Sequence, residues 1–299
     1  MSQEFLCWLD SDQIKQLTSP LKRSQVKVVL TTRDLARLIP AQWQSALRQG
    51  KTWTLTEYSH AVAGLADTRE RHPAYRHFWK RQDYGGIVGR WVEALGRDNV
   101  TVVTLPPSGS DPDELWTRFC AATELDVRRY PTKGVRNTSL GAASAEVLRR
   151  LNASEAIEAM SHSDYASEVN GRLARHVLDP RRSKEPGLTL PTEQRDWVTK
   201  RAEEIIGEVE ASGVKVIGSL DDLRPLPIDE SYQPPEQLPD DDLLAAAMDA
   251  ISGYAVEHGE RRNQVKSKKK AKAKAERQAE KAIRQAARAE RQAARADSK

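Results

Sequence analysis

Arg33 follows an apolar, β-branched run at residues 26–31 (VKVVLT) and precedes a helical stretch. The run predicts a strand that is buried on both faces, as in a parallel sheet. A guanidinium at the carboxyl end of such a strand can bind phosphate through paired, charge-assisted hydrogen bonds. Ligands of open α/β sheets bind at that edge. The alternative is a structural role, in which Arg33 pairs with a carboxylate near Asp34.

Arg136, Asn137 and Ser139 form a second polar cluster, directly before a helix predicted over residues 139–151. The N–H groups of a helix N-terminus, together with such side chains, form a suitable anion site. The same residue types also cap helices, so Asn137 or Ser139 could serve only the first turn of this helix.

Further strands and helices must position these residues. Residues 100–105 (VTVVTL) are predicted as a second buried strand, and residues 214–217 as a short strand-like piece. Apolar residues at helical spacing predict helices at 35–49, 82–95, 111–123, 164–178 and 192–212. Residues 51–81 show only weak periodicity. The alternation of strands and helices favours an α/β domain with a parallel sheet flanked by helices.

The charge is divided unevenly along the 299 residues. Residues 261–299 carry 15 basic and 4 acidic side chains, whereas residues 1–260 carry 32 basic and 39 acidic ones. We therefore expect an α/β domain over 1–228 and a proline-rich linker over 229–239. An amphipathic helix over 240–259 and a basic, helical or disordered tail over 260–299 are expected to follow.

Composition and motif spacing argue against several classes of protein. No run approaches the roughly 18 apolar residues of a membrane helix, and the first residues lack the basic start of a secretory signal. The two cysteines, Cys7 and Cys120, form no CxxC pair, and the six histidines show no metal-ligand spacing. We expect a cytoplasmic protein with no metal and no membrane span.

Four separated segments resemble a bacterial sulfotransferase-like family that uses 3′-phosphoadenosine 5′-phosphosulfate. They are VKVVLTTRDLARLIPAQW, RWVEALGRDNVTVVTLPPSGSDPDELWTRF, RNTSLGAASAEVLRRLN and GVKVIGSLDDLRP, in that order along residues 26–225. The resemblance implies a P-loop-like parallel sheet and sulfuryl transfer from this donor to a hydroxyl or amine acceptor. The acceptor, whether a small molecule, a glycan or a lipid, is not identified by any residue.

The resemblance also implies roles for individual residues. Arg33 matches the family's arginine for the nucleotide 3′-phosphate, and Arg136, Asn137 and Ser139 lie in the part that contacts this phosphate and the adenine. Glu4 stands roughly where some members carry the general base, which would take the acceptor's proton. The alternative for Glu4 is a solvated or capping carboxylate.

This sequence departs from the family's pattern in two places. Ala41 stands where the family has a serine, eight residues after Arg33. In the family a strand and a Gly- or Ser/Thr-rich loop hold the 5′-phosphosulfate, but the 25 residues before Val26 contain no glycine. We therefore expect an N-terminally shortened sheet that lacks the donor loop. The two hypotheses are a sulfotransferase and a non-catalytic remnant of the fold, and the donor loop is the feature that separates them.

The tail admits two interpretations. A dense cationic helix can neutralise nucleic-acid phosphates, and because residues 261–299 contain no aromatic residue, such binding would be non-specific. The same composition is also typical of a solvated helix that promotes solubility.

Overall fold

The structure is a computed structural model that describes residues 3–21, 24–64, 72–130, 139–227 and 232–296, with the backbone alone for residues 282–296. It is mostly helical around a small parallel sheet. The helices are α1 (Ser11–Thr18), α2 (Leu35–Leu47), α3 (Leu55–Ala63), α4 (Pro73–Gln82), α5 (Tyr84–Leu95), α6 (Glu114–Thr123), α7 (Ala142–Asn152), α8 (Glu155–Glu158), α9 (His162–Asp164), α10 (Arg195–Ser212) and α11 (Asp240–Ala296).

Within the described ranges, three parallel strands form the sheet, in the order β1 (Val28–Thr32), β2 (Val100–Thr104) and β3 (Lys215–Ile217). Val28 pairs with Val100, and Val103 pairs with Ile217. The central strand β2 is the most deeply buried, as its β-branched run predicts. The predicted α/β architecture with a parallel sheet is thus confirmed, with strand ends that differ by one or two residues.

Helix α2 confirms the apolar pattern after the first strand. Asp34 caps the helix by accepting a hydrogen bond from the Arg37 backbone N–H, and the apolar positions of the pattern face the core. Pro40 lies buried inside the helix, which runs on to Leu47. Gly50 then adopts φ of 82°, a left-handed conformation that favours glycine at this turn.

The weakly periodic segment 51–81 contains two helices that the hydrophobic pattern did not predict. Helix α3 starts with a capping box between Thr54 and Glu57, and α4 starts with Pro73 in its first turn. The sequence therefore indicates where both helices begin, through the capping pair of α3 and the proline of α4. Their apolar faces are interrupted by polar and aromatic residues, which explains why periodicity alone missed them.

Three other predicted helices are present, but they differ from the prediction in where they begin or in helix type. The helix predicted from residue 139 begins at Ala142, with Gly141 as its N-cap. The helix predicted over 164–178 winds as a π-helix over Tyr165–Leu178, and the one predicted from 192 opens with a 3-10 turn, Thr192–Gln194, before α10.

The region predicted as a linker is partly packed. Pro235 is buried, the backbone N–H of Thr56 donates to Glu236 Oε1 at 3.0 Å, and Leu243 and Ala246 of α11 pack against Ala143 of α7. One compact unit accordingly covers Met1–Ala247, and a second covers Met248–Lys299. Within the described residues, no helix combines the length and the apolar character needed to span a membrane.

Candidate functional site

The carboxyl ends of the three strands meet at one edge of the sheet, and a polar segment follows each strand. Arg33 and Asp34 follow β1, the loop from Pro106 to Ser110 follows β2, and Gly218 and Ser219 follow β3. In parallel α/β sheets this edge is where ligands bind.

Arg33 is half-buried at this edge, and its Nε atom is fully enclosed without a hydrogen-bond partner among the described residues. Burial lowers the pKa of the Arg33 guanidinium, and the neighbouring charge of Arg37 lowers it further. Burial raises the pKa of Tyr84, and the backbone N–H of Arg33 donates a hydrogen bond to the phenol oxygen. The backbone at the end of β1 is thus held in place while the Arg33 side chain keeps an unmet donor.

Asp34 is engaged by Arg37. The Asp34 carboxylate accepts from both the backbone and the Nε of Arg37, and Arg37 Nη1 also donates to the carbonyl oxygen of Pro106 at 3.0 Å. These bonds connect the end of β1 to the loop that follows β2. No ion pair among the described residues joins Arg33 to Asp34 or to another carboxylate, so the described part of the chain does not provide the structural partner of the alternative interpretation.

Arg118 of α6 lies at the same edge of the sheet, where β2 and β3 end. It binds the carboxylates of Asp222 and Glu114, and it donates to the Thr104 carbonyl oxygen at 2.9 Å. Thr104 Oγ1 also donates to Asp222 Oδ2, at 2.7 Å. Burial raises the pKa of Asp222, but these hydrogen bonds outweigh it and hold the pKa below its usual value. Arg118 therefore fixes the ends of β2 and β3 to each other.

Gly218 makes this close approach possible. Its φ is 100°, and a Cβ at this position would lie 2.1 Å from Thr104 Oγ1 and 2.4 Å from Arg118 Nη1. Glycine is required here both for backbone conformation and for space.

Comparisons of the chain with protein-family models, with curated proteins and with solved structures found no match. The chemistry of the edge must therefore be argued from its own residues. Among Arg33, Arg37 and Arg118, only Arg33 lacks a carboxylate ion pair with a described residue. A half-buried guanidinium with an unmet donor is suited to hold an oxyanion such as phosphate.

The second predicted cluster is only partly described. Arg136 and Asn137 lie outside the described residues. Ser139 is exposed, and the next residue, Leu140, donates its backbone N–H to Gln44 Oε1 of α2 at 2.8 Å.

A carboxylate of the chain itself occupies the start of α7. Glu185 accepts from the backbone N–H of Ser144 at 2.8 Å and from its hydroxyl at 2.6 Å, and Arg181 binds the same carboxylate at 2.9 Å. Gly141 allows this approach, because a Cβ there would lie 2.3 Å from Glu185 Oε2. The N-cap of this helix is Gly141, so Ser139 does not cap it.

Glu4 lies exposed in a short 3-10 helix, Glu4–Trp8. Arg90 of α5 holds the end of this segment by donating to the carbonyl oxygens of Cys7 and Leu9. No hydrogen bond or ion pair among the described residues joins Glu4 to Arg33.

Sequence reasoning missed most of the residues that build the edge, namely Arg37, Tyr84, Arg118 and Asp222. A signal existed for Asp222, which follows the third strand at the edge where the other strands also end. No local sequence signal pointed to Arg118, because its partner Asp222 lies 104 residues away along the chain.

Proposed function

We propose that this protein binds a 3′-phosphorylated adenine nucleotide at the carboxyl edge of its sheet, as sulfotransferase-like proteins do, with the 3′-phosphate on Arg33. The observation that carries the proposal is the enclosed Arg33 Nε without a hydrogen-bond partner among the described residues. The resemblance of the four separated segments supports it. A P-loop-like arrangement of the sheet is part of the same proposal.

The unmet donor gives a physical reason for a ligand. A buried polar group without a partner costs about 1–3 kcal/mol, and more when the group is charged. A phosphate beside the half-buried Arg33 guanidinium would neutralise its charge, and it would satisfy the enclosed Nε once the side chain moves to expose that atom. The ion pairs of Arg37 and Arg118 would hold the surrounding loops without competing for the phosphate.

The proposed reaction is sulfuryl transfer from 3′-phosphoadenosine 5′-phosphosulfate. The bond between sulfur and the bridging phosphate oxygen breaks, and a bond forms between sulfur and the acceptor oxygen or nitrogen. The acceptor's proton passes to a base, and adenosine 3′,5′-bisphosphate leaves. Glu4 is the base that the resemblance implies.

A second candidate is nucleotide binding without transfer. It is favoured by the ion pairs of Arg37 and Arg118 with carboxylates, because these guanidinium groups are then committed to the protein. Sulfuryl transfer needs positive charge near the leaving 5′-phosphate. Mixing the chain with the labelled donor and a panel of hydroxyl and amine acceptors separates the two candidates.

The test of binding is calorimetric titration of the protein with adenosine 3′,5′-bisphosphate. Arg33→Ala should weaken binding by roughly 10- to 150-fold, the equivalent of about 1.5–3 kcal/mol for a hydrogen bond to a charged group. Arg97→Ala is the matched control, because Arg97 lies exposed before the amino end of β2. Equal affinities of Arg33→Ala and the unaltered protein would refute the site.

A further inference from the structure

Helix α11 carries a dense positive charge beyond the compact unit. Its backbone continues without interruption from Asp240 to Ala296. Residues 261–281 carry ten basic and two acidic side chains, and every side chain in this range is exposed. None of these charges is needed for a core.

Ten basic residues of α11 share one face of the helix. They follow each other at intervals of three or four residues, at Arg262, Lys266, Lys270, Lys274, Arg277, Lys281, Arg284, Arg288, Arg291 and Arg295. At about 100° per residue, these positions fall within an arc of about 120° and extend over about 50 Å. We call these ten positions the basic stripe.

The other side of the helix does not continue this pattern. Arg261, Lys268 and Lys272 lie opposite the basic stripe, but this second run of cations ends at Lys272. Of the two acidic residues in 261–281, Glu276 pairs with Lys272 at 4.0 Å, away from the centre of the stripe, and Glu280 lies at the edge of the stripe's arc. Further along, the opposite positions are mainly alanine.

The basic stripe works against the stability of the isolated helix. Like charges three or four residues apart repel each other, by a few tenths of a kcal/mol per pair. The pattern repeats such pairs along most of the stripe, with Glu280 as an interruption at the edge of its arc, whereas a helix selected for its own stability would alternate the signs throughout. An extended polyanion that lies along the stripe would turn this repulsion into attraction.

We propose that the basic stripe binds the phosphate backbone of double-helical nucleic acid, independently of base sequence. The major groove of a duplex admits an α-helix, and a row of cations can neutralise successive phosphates. A membrane surface fits less well. Helices that lie in the membrane interface present bulky apolar residues, whereas Val265 is the only apolar residue larger than alanine in residues 261–281.

Two triple variants of the full chain test the proposal. Arg262→Gln, Lys266→Gln and Lys270→Gln remove three cations from the stripe, whereas Arg261→Gln, Lys268→Gln and Lys272→Gln remove the same residue types from the opposite side. Both lower the net charge by three. Binding to a labelled 20-base-pair DNA duplex is measured by fluorescence anisotropy over a range of salt concentrations.

The stripe variant should bind at least tenfold more weakly than the opposite-side variant at the same salt concentration. Its slope of log affinity against log salt should shrink by about 3, one for each lost phosphate contact. The slope of the opposite-side variant should change by less than about 1. Equal losses of duplex affinity in the two variants would overturn the proposal that the basic stripe is the binding surface. Tighter binding of the protein to vesicles of anionic lipid than to the duplex would overturn the choice of nucleic acid as the partner.

Discussion

At the scale of single residues, the three arginines at the sheet edge differ in their partners. Arg37 and Arg118 are committed to carboxylates and to backbone oxygens, so they build the edge. Arg33 is half-buried and forms no ion pair with a described residue, and its enclosed Nε has no hydrogen-bond partner among them, so it is the residue that we propose for ligand binding. The functional proposal therefore depends on one side chain, whereas the stability of the edge depends on its neighbours.

The space at Gly218 gives a prediction with an internal control. Gly218→Ala places a methyl group against Thr104 and Arg118 at a positive φ, and it should destabilise the fold by about 1–3 kcal/mol. Gly89→Ala lies on the exposed face of α5 with no atom within 4 Å, and it should stabilise the fold by up to about 1 kcal/mol. Urea unfolding of both variants measures the difference. A Gly218→Ala variant as stable as the unaltered protein would contradict the described contact.

At the scale of elements, α7 contains a buried ion cluster. The Glu146 side chain is fully buried, and its carboxylate accepts hydrogen bonds from Arg149 at 2.7 Å and Arg150 at 2.8 Å. Burial raises the pKa of Glu146, but the two arginines outweigh it and hold the pKa below its usual value. A carboxylate of this kind stabilises the fold above its unfolded pKa of about 4.3, and that stability is lost as the pH falls through the folded value.

Glu146→Gln should therefore lower the free energy of unfolding at pH 7 by about 3 kcal/mol, because Arg149 loses its charged partner. The loss should shrink below about pH 4, where the unaltered protein loses the same contribution. Urea unfolding at pH 7 and at pH 3.5 measures both effects. Glu158→Gln, at an exposed position of α8, is the control. An equal loss of unfolding free energy at both pH values would contradict the claim that the charge of Glu146 stabilises the fold.

The packing of α11 against α7 can be tested with two adjacent leucines. Leu243 is 5% exposed in a cluster with Ala143 and Val147, whereas Leu244 is 60% exposed. Leu243→Ala should cost about 2–3 kcal/mol of stability, and Leu244→Ala less than about 0.5 kcal/mol. Thermal or urea unfolding compares the two variants directly. Similar effects for both would show that the start of α11 is not packed as described.

Elements could be predicted from the sequence where one local signal dominates. The β-branched runs at β1 and β2 predicted both strands, and the apolar spacing of α2 predicted that helix through Pro40. Helices α3 and α4 were missed because capping residues, not periodicity, mark their starts. The sheet edge was predicted only at Arg33, since Arg118 and Asp222 meet through the fold and not through any local pattern.

At the scale of the whole molecule, the charge changes sign along the chain. Residues 1–260 carry an excess of acidic residues, and residues 261–299 carry an excess of basic ones. The expected domain boundary at residue 228 stays a prediction, and the packing of Leu238, Leu243 and Ala246 favours a boundary beyond Ala247. Limited proteolysis followed by mass spectrometry should yield a resistant fragment that keeps residues 232–247. A resistant fragment that ends near residue 228 would contradict this packing.

The central claim is that Arg33 holds the 3′-phosphate of an adenine nucleotide, and selectivity between two nucleotides tests it most directly. Adenosine 3′,5′-bisphosphate and adenosine 5′-monophosphate differ only in the phosphate that Arg33 is proposed to bind. Calorimetry should show that the unaltered protein prefers the bisphosphate by roughly 10- to 150-fold. In Arg33→Ala this preference should disappear, because both nucleotides then bind equally weakly. A preference that survives in Arg33→Ala, or one that is absent from the unaltered protein, would contradict the account.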